Sequence, residues 1–430
     1  MNYKEALRYL DSLNSFGIKL GLSRITRLLD LLDNPQNRYK TIHVTGTNGK
    51  GSVSVMLSGM LAHAGIRTGL YISPHLVSYT ERMQIDGKCI TEEEFADCIA
   101  VVKEVTVQML MDGEESPTQF EVLTAAAFLY FSIKNVEYAV VEVGLGGLLD
   151  STNVITPEIA VITNVTMDHA DRCGGTLEGI AHHKAGIIKE GVPVVTAAKG
   201  EALQILCEEA QQKGSDIFIE GEDFHSDFVR FDGHKQFLKF HSDLLGTAEE
   251  YTLQMLGQHQ VENSSVALMA LYLLWNQESR INKVSAQDAL NHAAWPGRFE
   301  KIEQNGQTVI IDGAHNPAGM AVLRENLDAY FPAQERVLLL GILKDKDIDT
   351  MVETLVRPVD TVVVTMPISE RAADPLFVAK KMKAQHIEVH MDAREALERA
   401  MELANQKKLL CIAGSLYLIG GLRENLLAEK

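Results

Sequence analysis

The chain has 430 residues, 46% hydrophobic and 23% charged, with a formal net charge of −18. That length carries about two to three domains with ample core, and the composition is that of ordinary globular protein. The acidic balance opposes nucleic-acid binding, which needs a basic surface, but it leaves small anions open, because local Lys, Arg and N–H groups decide their binding.

Residues 3–13 and 23–32 read as two amphipathic helices, with Ser23 capping the second and Pro35 beyond its end. Residues 39–44 read as a strand and 53–63 as a helix. Between them runs Thr45-Gly46-Thr47-Asn48-Gly49-Lys50-Gly51-Ser52. A Gly-rich turn from strand to helix points backbone N–H groups at an anion, and the helix N-terminus adds partial positive charge. Lys50 is expected to meet the terminal phosphates of a nucleotide and Ser52 to hold Mg²⁺. The literal pattern G-x-x-x-x-G-K-[ST] is not met: Val44 stands at the first glycine and Gly51 follows the lysine.

Residues 68–72 read as a short strand ended by Ser73-Pro74-His75. Residues 83–85 and 88–90 flank Asp86-Gly87, a hairpin signal. Thr91 with Glu94 and Thr118 with Glu121 are capping boxes, the second opening a helix over 122–131. Residues 136–143, 159–165 and 192–197 are apolar enough for buried parallel strands. The alternation predicts a doubly wound, mostly parallel α/β sheet, whose ligands bind at the carboxyl ends of its strands.

Several residues at such ends carry chemistry. Glu142 closes the 136–143 strand, where a carboxylate suits Mg²⁺. Gly144-Leu145-Gly146-Gly147 follows and permits close backbone approach; Asp150 and Asn153 beyond it also fit plain turn chemistry. Asp168-His169 follows the 159–165 strand, and His169 is a candidate metal ligand. His182-His183-Lys184 lies on a helix begun by Thr176. From composition alone Lys184 is a solvated lysine, and adjacent histidines point to different faces, so they do not chelate together.

Residues 221–250 are polar and read as an accessory antiparallel sheet. His225, His234 and His241 within it lack metal-ligand spacing and read as exposed strand positions. Residues 261–275 form a helix, and Trp295-Pro296-Gly297-Arg298 reads as a linker between domains 1–294 and 295–430. A second α/β pattern follows, with strands at 308–311, 336–341, 360–364, 386–390 and 409–413 and helices at 320–330, 348–355 and 393–404. Asp312-Gly313-Ala314-His315-Asn316-Pro317 gathers an acid, an imidazole and an amide after a strand. Turn chemistry explains all of these but His315. Arg298 in the linker is placed to reach a transferring phosphoryl group, and Gly414-Ser415 after the last strand to bind a carboxylate. The five cysteines are scattered without C-x-x-C spacing, so they indicate neither a disulfide framework nor a zinc site. The N-terminus shows no apolar targeting segment and no apolar run reaches membrane-spanning length, so a cytoplasmic protein is expected.

Ten motifs in one order resemble the folylpolyglutamate synthases and dihydrofolate synthases of the Mur ligase superfamily, almost end to end. They are HVTGTNGKGS (43–52), SPHL (73–76), ERMQIDG (81–87), PTQFE (117–121) and VEVGLGGLLDSTN (141–153). ITNVTMDH (162–169), KAGIIK (184–189), WPGRFE (295–300), DGAHNP (312–317) and GSLYL (414–418) complete the set. The resemblance implies a P-loop domain with a small accessory sheet and a C-terminal Rossmann-like α/β domain. It implies ATP- and Mg²⁺-dependent ligation of L-glutamate to a folate or, alternatively, to dihydropteroate, through an acyl phosphate. Thr47, Asn48, Gly49, Lys50, Gly51 and Ser52 are then the phosphate loop, and Asn263 an adenine contact. Ser52, Glu142 and His169 organise Mg²⁺, joined by Lys184 at the position of a carbamylated lysine. Arg298, Asp312 and His315 reach the phosphates, across a cleft that closes by a hinge. Ser73, Pro74, Arg82, Gln119, Phe120, Glu121 and Ser415 fall on the folate and glutamate side. Leu148 stands where many relatives carry arginine, and Cys173 replaces a leucine-like residue. The partners implied are small molecules, not nucleic acid or membrane, and a monomer is expected. A cell-wall ligase is disfavoured, because only 44 residues precede Thr45, too few for a separate nucleotide-sugar domain.

Overall fold

The computed structural model describes residues 1–13, 20–167 and 175–428. The chain divides into two compact units. The first comprises Met1–Arg230, Gln236–Gln254 and His259–Ala293, the second Phe231–Lys235, Met255–Gln258 and Ala294–Lys430.

The first unit is built on an eight-stranded sheet. Its strands are β1 (Lys40–Thr45), β2 (Thr68–Tyr71), β3 (Met83–Ile85), β4 (Lys88–Cys89), β5 (Tyr138–Glu142), β6 (Ile159–Ile162), β7 (Val194–Thr196) and β8 (Ile217–Ile219). They lie in the order β4-β3-β2-β5-β1-β6-β7-β8. All pairs from β2 to β8 are parallel, and β3 and β4 add an antiparallel edge. Asp86 (φ 50°) and Gly87 (φ 74°) turn that edge hairpin in the left-handed conformations its sequence signals. β1, β2, β5, β6 and β7 are almost wholly buried, as strands covered on both faces are; β2, β5, β6 and β7 are largely apolar, whereas β1 buries Thr41, His43 and Thr45. The chain moves from β1 outward to β2, returns with β5 beside β1, and then places β6 on β1's other flank. In open parallel sheets such a reversal of strand order is where ligands bind, here at the carboxyl end of β1.

Both capping boxes form: Thr91 caps the helix Glu92–Met111 and Thr118 the helix Gln119–Ile133, each with its glutamate reciprocating. The second expected helix does not use Ser23 as its cap. Ser23 is the first helical residue, and the cap position is Leu22, whose carbonyl accepts from Thr26 N–H at 2.9 Å. A three-stranded sheet, β9 (Phe224–Phe231), β10 (Gln236–Ser242) and β11 (Glu249–Leu253), answers the polar 221–250 segment. β10 buries every second residue, and Phe240 stacks on Tyr272 of the helix Gln258–Trp275 at 5.5 Å.

The second unit holds a six-stranded sheet: β12 (Glu300–Gln304), β13 (Gln307–Ile311), β14 (Arg336–Leu340), β15 (Thr361–Thr365), β16 (His386–His390) and β17 (Leu409–Ala413). The order is β12-β13-β17-β14-β15-β16, parallel except for β12. Phe231 and Leu256, from segments earlier in the chain, belong to this core; the Phe231 ring lies 5.0 Å from that of Tyr330. β12 escapes the sequence pattern because Glu300–Gln304 is polar, yet Asn305-Gly306 marks its hairpin, at φ 50° and 77°. Among the described residues no helix is long and apolar enough to cross a membrane.

Candidate active site

The Gly-rich segment is the connection from β1 to the helix Lys50–His63, one turn longer at its start than periodicity suggests. Gly49 supplies the left-handed N-cap at φ 82°. The segment is clamped by the strand-end loop after β6. Thr47 N–H donates to Asn164 O (2.9 Å) and Asn48 N–H to Asn164 Oδ1 (2.9 Å). Asn48 O accepts from Thr163 Oγ1 at 2.6 Å and Asn164 Nδ2 at 3.1 Å. Lys50 folds its ammonium over the loop, donating to Gly46 O (2.9 Å) and Thr47 O (3.1 Å).

Gly46 is the tightest point of this cradle. A Cβ there would lie 1.9 Å from Thr163 Oγ1 and 3.2 Å from Asn164 N, at φ 150°. Gly46→Ala must therefore break Thr163 from Asn48. We expect about 1–3 kcal/mol of destabilisation from overpacking and strain, with weaker ATP binding, read by thermal unfolding and nucleotide titration. Unchanged stability and affinity would contradict the tight-cradle geometry.

Ser52 is buried on the first turn, and its Oγ accepts from Gln260 Nε2 at 3.2 Å. Gln260 Oε1 in turn accepts from Asn263 Nδ2 at 3.0 Å, and Asn263 Oδ1 lies 2.3 Å from where a Gly49 Cβ would stand. Gln260 was not singled out by sequence. Its one signal was an amide one turn before Asn263, within the polar first half of the helix.

β1 pairs Val44 with Glu142, so the end of β5 sits beside the loop. Glu142 is 3% exposed, and its Oε2 accepts from Ser73 N–H at 2.9 Å. The glycines after it permit two close approaches. A Cβ at Gly144 would meet the Phe120 ring at 2.5 Å, and one at Gly147 would meet His183 O at 2.6 Å and Lys184 Cα at 3.3 Å. Leu148 N–H donates to His183 O (2.7 Å), and Asn153 Nδ2 to both Leu148 O and Gly186 O (3.0 Å each). This loop thus locks onto the helix Leu177–Ala185, capped by Thr176. Lys184 on that helix is 5% exposed, which overturns the composition-based reading of a solvated lysine. Asp150 is a turn acid: its carboxylate accepts from Leu145 N–H (2.8 Å), Thr152 N–H (3.0 Å) and Thr152 Oγ1 (2.6 Å), while burial pushes its pKa up. Thr152 Oγ1 also meets His43 Nε2 at 2.8 Å; burial lowers that histidine's pKa to about 3 and keeps it neutral. Asp168, His169, Arg172 and Cys173 lie outside the described residues.

In the segment after β2, Arg82 Nε donates to His75 Nδ1 (2.8 Å), and its guanidinium lies 5.2 Å from the Tyr79 ring centre. Burial, then the Arg82 charge, lowers the His75 pKa to about 4, so it is neutral and can accept. Gln119 Nε2 donates to Leu10 O and Tyr79 OH (3.2 Å each). Phe120 stacks toward Tyr71 at 6.2 Å. Glu121 is buried, accepting from Thr118 N–H (2.7 Å) and pairing with Arg24 (3.2 Å), contacts that serve the helix cap. The Ser73-Pro74 bond is cis, with Pro74 exposed.

In the second unit, the loops after β13 and β17 meet. Asp312 accepts from Phe299 N–H and Ala314 N–H (2.7 Å each); burial raises its pKa against the pull of Arg298. His315 Nδ1 donates to Gly313 O at 2.7 Å, a bond that fixes the ring within its own loop. Gly414 N–H donates to Ala314 O (3.0 Å), and Gly414 at φ 112° lets the chain pass Gly341 O, 2.7 Å from its Cβ position. Ser415 is 1% exposed and its Oγ accepts from Leu418 N–H at 3.2 Å, capping the helix Leu416–Ala428. Arg298 is exposed.

Two family models match the chain. The Mur ligase middle domain covers residues 44–271, and the Mur ligase glutamate ligase domain covers 297–416. A Bacillus subtilis dihydrofolate synthase/folylpolyglutamate synthase is 32% identical, with 99% of each chain covered. A Thermotoga maritima folylpolyglutamate synthase crystal structure is 37% identical with a TM-score of 0.89, covering 100% of this chain and 97% of that one. A Mycobacterium tuberculosis folylpolyglutamate synthase, solved with ADP and AMPPCP, is 31% identical with a TM-score of 0.85 over 99% of each chain.

Proposed function

The chain belongs to the folylpolyglutamate synthase/dihydrofolate synthase family of the Mur ligase superfamily, and from that premise we propose that its preferred acceptor is a reduced folate. It is an ATP-dependent glutamate ligase. The observation that carries this for the chain's own residues is the convergence at the carboxyl ends of β1, β5 and β6. There the clamped loop after β1, with Lys50 and the buried Ser52 hydroxyl on the helix it opens, lies beside the buried Glu142 carboxylate at the end of the neighbouring β5.

The reaction proposed runs in two steps. The γ-phosphoryl group of ATP passes to the acceptor's carboxylate: a carboxylate oxygen–phosphorus bond forms, the bond to the β-phosphate oxygen breaks, and ADP leaves. The amine of L-glutamate then attacks the acyl carbon, phosphate leaves with the bonding pair, and the amine gives up a proton. Lys50 and the loop N–H groups hold and neutralise the phosphates. The oxygen donors of Ser52 and Glu142 fit Mg²⁺, with His169 and a carbamylated Lys184 as further ligands. Mg²⁺ held there would offset charge on the phosphate oxygens. Arg298, Asp312 and His315 are assigned to the phosphates. Asn263 is assigned to the adenine, and Ser73, Pro74, Gln119, Phe120 and Ser415 to the acceptor and glutamate. The exposed thiol of Cys89 suits a reducing cytoplasm, where we place the enzyme as a monomer.

The acceptor choice rests on charge. A folate carries a glutamate that a pteroate lacks, so its site must tolerate an extra anion. Leu148 removes a basic group that many relatives have. Of the replacements at hand, Lys189 is half-buried, its pKa lowered by burial, and donates to Asn153 O at 3.4 Å. Arg82, beside the Ser73 loop and stacked on Tyr79, is the better candidate. Comparing kcat/KM for a reduced folate and dihydropteroate at matched glutamate and ATP should favour the folate. Tenfold better use of dihydropteroate, about 1.4 kcal/mol of transition-state preference, would make dihydrofolate synthesis the primary activity.

A further inference from the structure

We propose that His225, Asp227 and His241 form a surface site for a divalent transition metal of the zinc class, on residues that ligation does not use. Cysteine spacing excludes a thiolate site, but not one of imidazoles and a carboxylate. His225 and Asp227 are two apart on β9, so they share one face of the strand. His241 comes from the neighbouring β10. Strand pairing therefore joins groups 16 residues apart, which is why their linear spacing looks uninformative. His234 stays exposed in the turn between the strands.

The three groups face one another. His241 Nε2 lies 3.2 Å from Asp227 Oδ2, and His225 Nε2 3.9 Å from the same oxygen. One ligand atom from each residue falls within 4.8 Å of the other two. The imidazole rings stack 4.5 Å apart at 7°. His241 Nε2 is buried and has no hydrogen-bond partner, so a ring nitrogen aimed at a carboxylate stands without a donor–acceptor match. A metal satisfies both at once, by accepting lone pairs from the nitrogens and the oxygen together.

Bonds of about 2.1 Å in tetrahedral geometry need ligand atoms about 3.4 Å apart. His225 and Asp227 are exposed and can rotate to close the remaining gap, while His241 is the more fixed member. Two imidazoles and one carboxylate suit Zn²⁺, Co²⁺, Ni²⁺ or Cu²⁺, whereas Mg²⁺ and Ca²⁺ prefer oxygen alone. A fourth position stays open to water. A bound ion would pin β9 to β10 and stabilise the folded state by mass action.

The test uses the full-length protein, stripped with chelator and free of nucleotide, titrated with Co²⁺ and then with Zn²⁺. We expect one Co²⁺ per chain with tetrahedral-type visible absorption, displaced by Zn²⁺. His241→Ala, His225→Ala and Asp227→Asn should each weaken binding by more than about tenfold, since losing a ligand should cost at least what losing its outer-shell partner does. Zn²⁺ should raise the thermal midpoint of the wild type more than that of the variants. Ligation with Mg²⁺ and ATP, unchanged in all three, certifies that they fold; Asp227→Asn keeps side-chain shape and decides the matter should a histidine variant not fold. Absence of the Co²⁺ spectrum, or an equal spectrum in folded variants, would overturn the site.

Discussion

Lys50→Ala is expected to lower kcat/KM for ligation by roughly 10²–10³-fold, the usual loss when one preorganised donor is taken from developing charge. The ammonium is the cation proposed for the phosphate cradle, and it donates to Gly46 O and Thr47 O at 2.9 and 3.1 Å. The rest of the cradle does not depend on it: Thr47 and Asn48 are held by Asn164, and Gly49 makes the turn by its own φ. The variant should therefore fold with a near wild-type thermal midpoint while losing turnover. Arg at the same position keeps the charge but not its size or reach, and should restore little. Near-wild-type turnover in Lys50→Ala would remove the phosphate-loop assignment.

Lys184→Ala should cost a comparable factor, for a different reason. A positively charged lysine, here 5% exposed, is in the wrong charge state to help hold Mg²⁺. Carbamylation reverses the sign: the uncharged amine attacks CO₂, a nitrogen–carbon bond forms, and the amine releases a proton to leave a carbamate anion. The locked loop from Gly147 to Asn153 holds the helix in place whatever Lys184 becomes, through contacts to His183 O and Gly186 O. The alanine variant should then keep its fold and lose activity, and a short carboxylic acid in the buffer should restore part of it. Full activity of Lys184→Ala at ordinary Mg²⁺ would decide against the carbamate.

Much of this was legible in the chain because its signals are local. The capping boxes at Thr91 and Thr118 formed, as did the Asp86-Gly87 turn, since each is fixed within four residues by its own side chains and φ preferences. The buried strands were equally plain from their mainly apolar runs. The burial of Lys184 was not, because it is imposed by glycines 37 residues earlier in the chain that let one loop touch the helix. The meeting of His225 with His241 was hidden for the same reason, being a product of strand pairing. Gln260 was overlooked because it stands in a polar stretch with Gln258, His259, Glu262 and Asn263, where one more amide carries no signature. Asn263, by contrast, was reachable only through resemblance. Glu121 sits in a recognised motif, yet its described contacts are those of a helix cap and an ion pair with Arg24.

The most direct test of the account couples two readouts in one reaction. Purified protein is given Mg²⁺, ATP, L-glutamate and a reduced folate, and ADP release is followed alongside the mass of the folate. The account predicts that ADP appears only when both acceptor and glutamate are present, one ADP for each glutamyl residue gained. ADP released without either substrate, or a folate whose mass does not change while ADP accumulates, would contradict it.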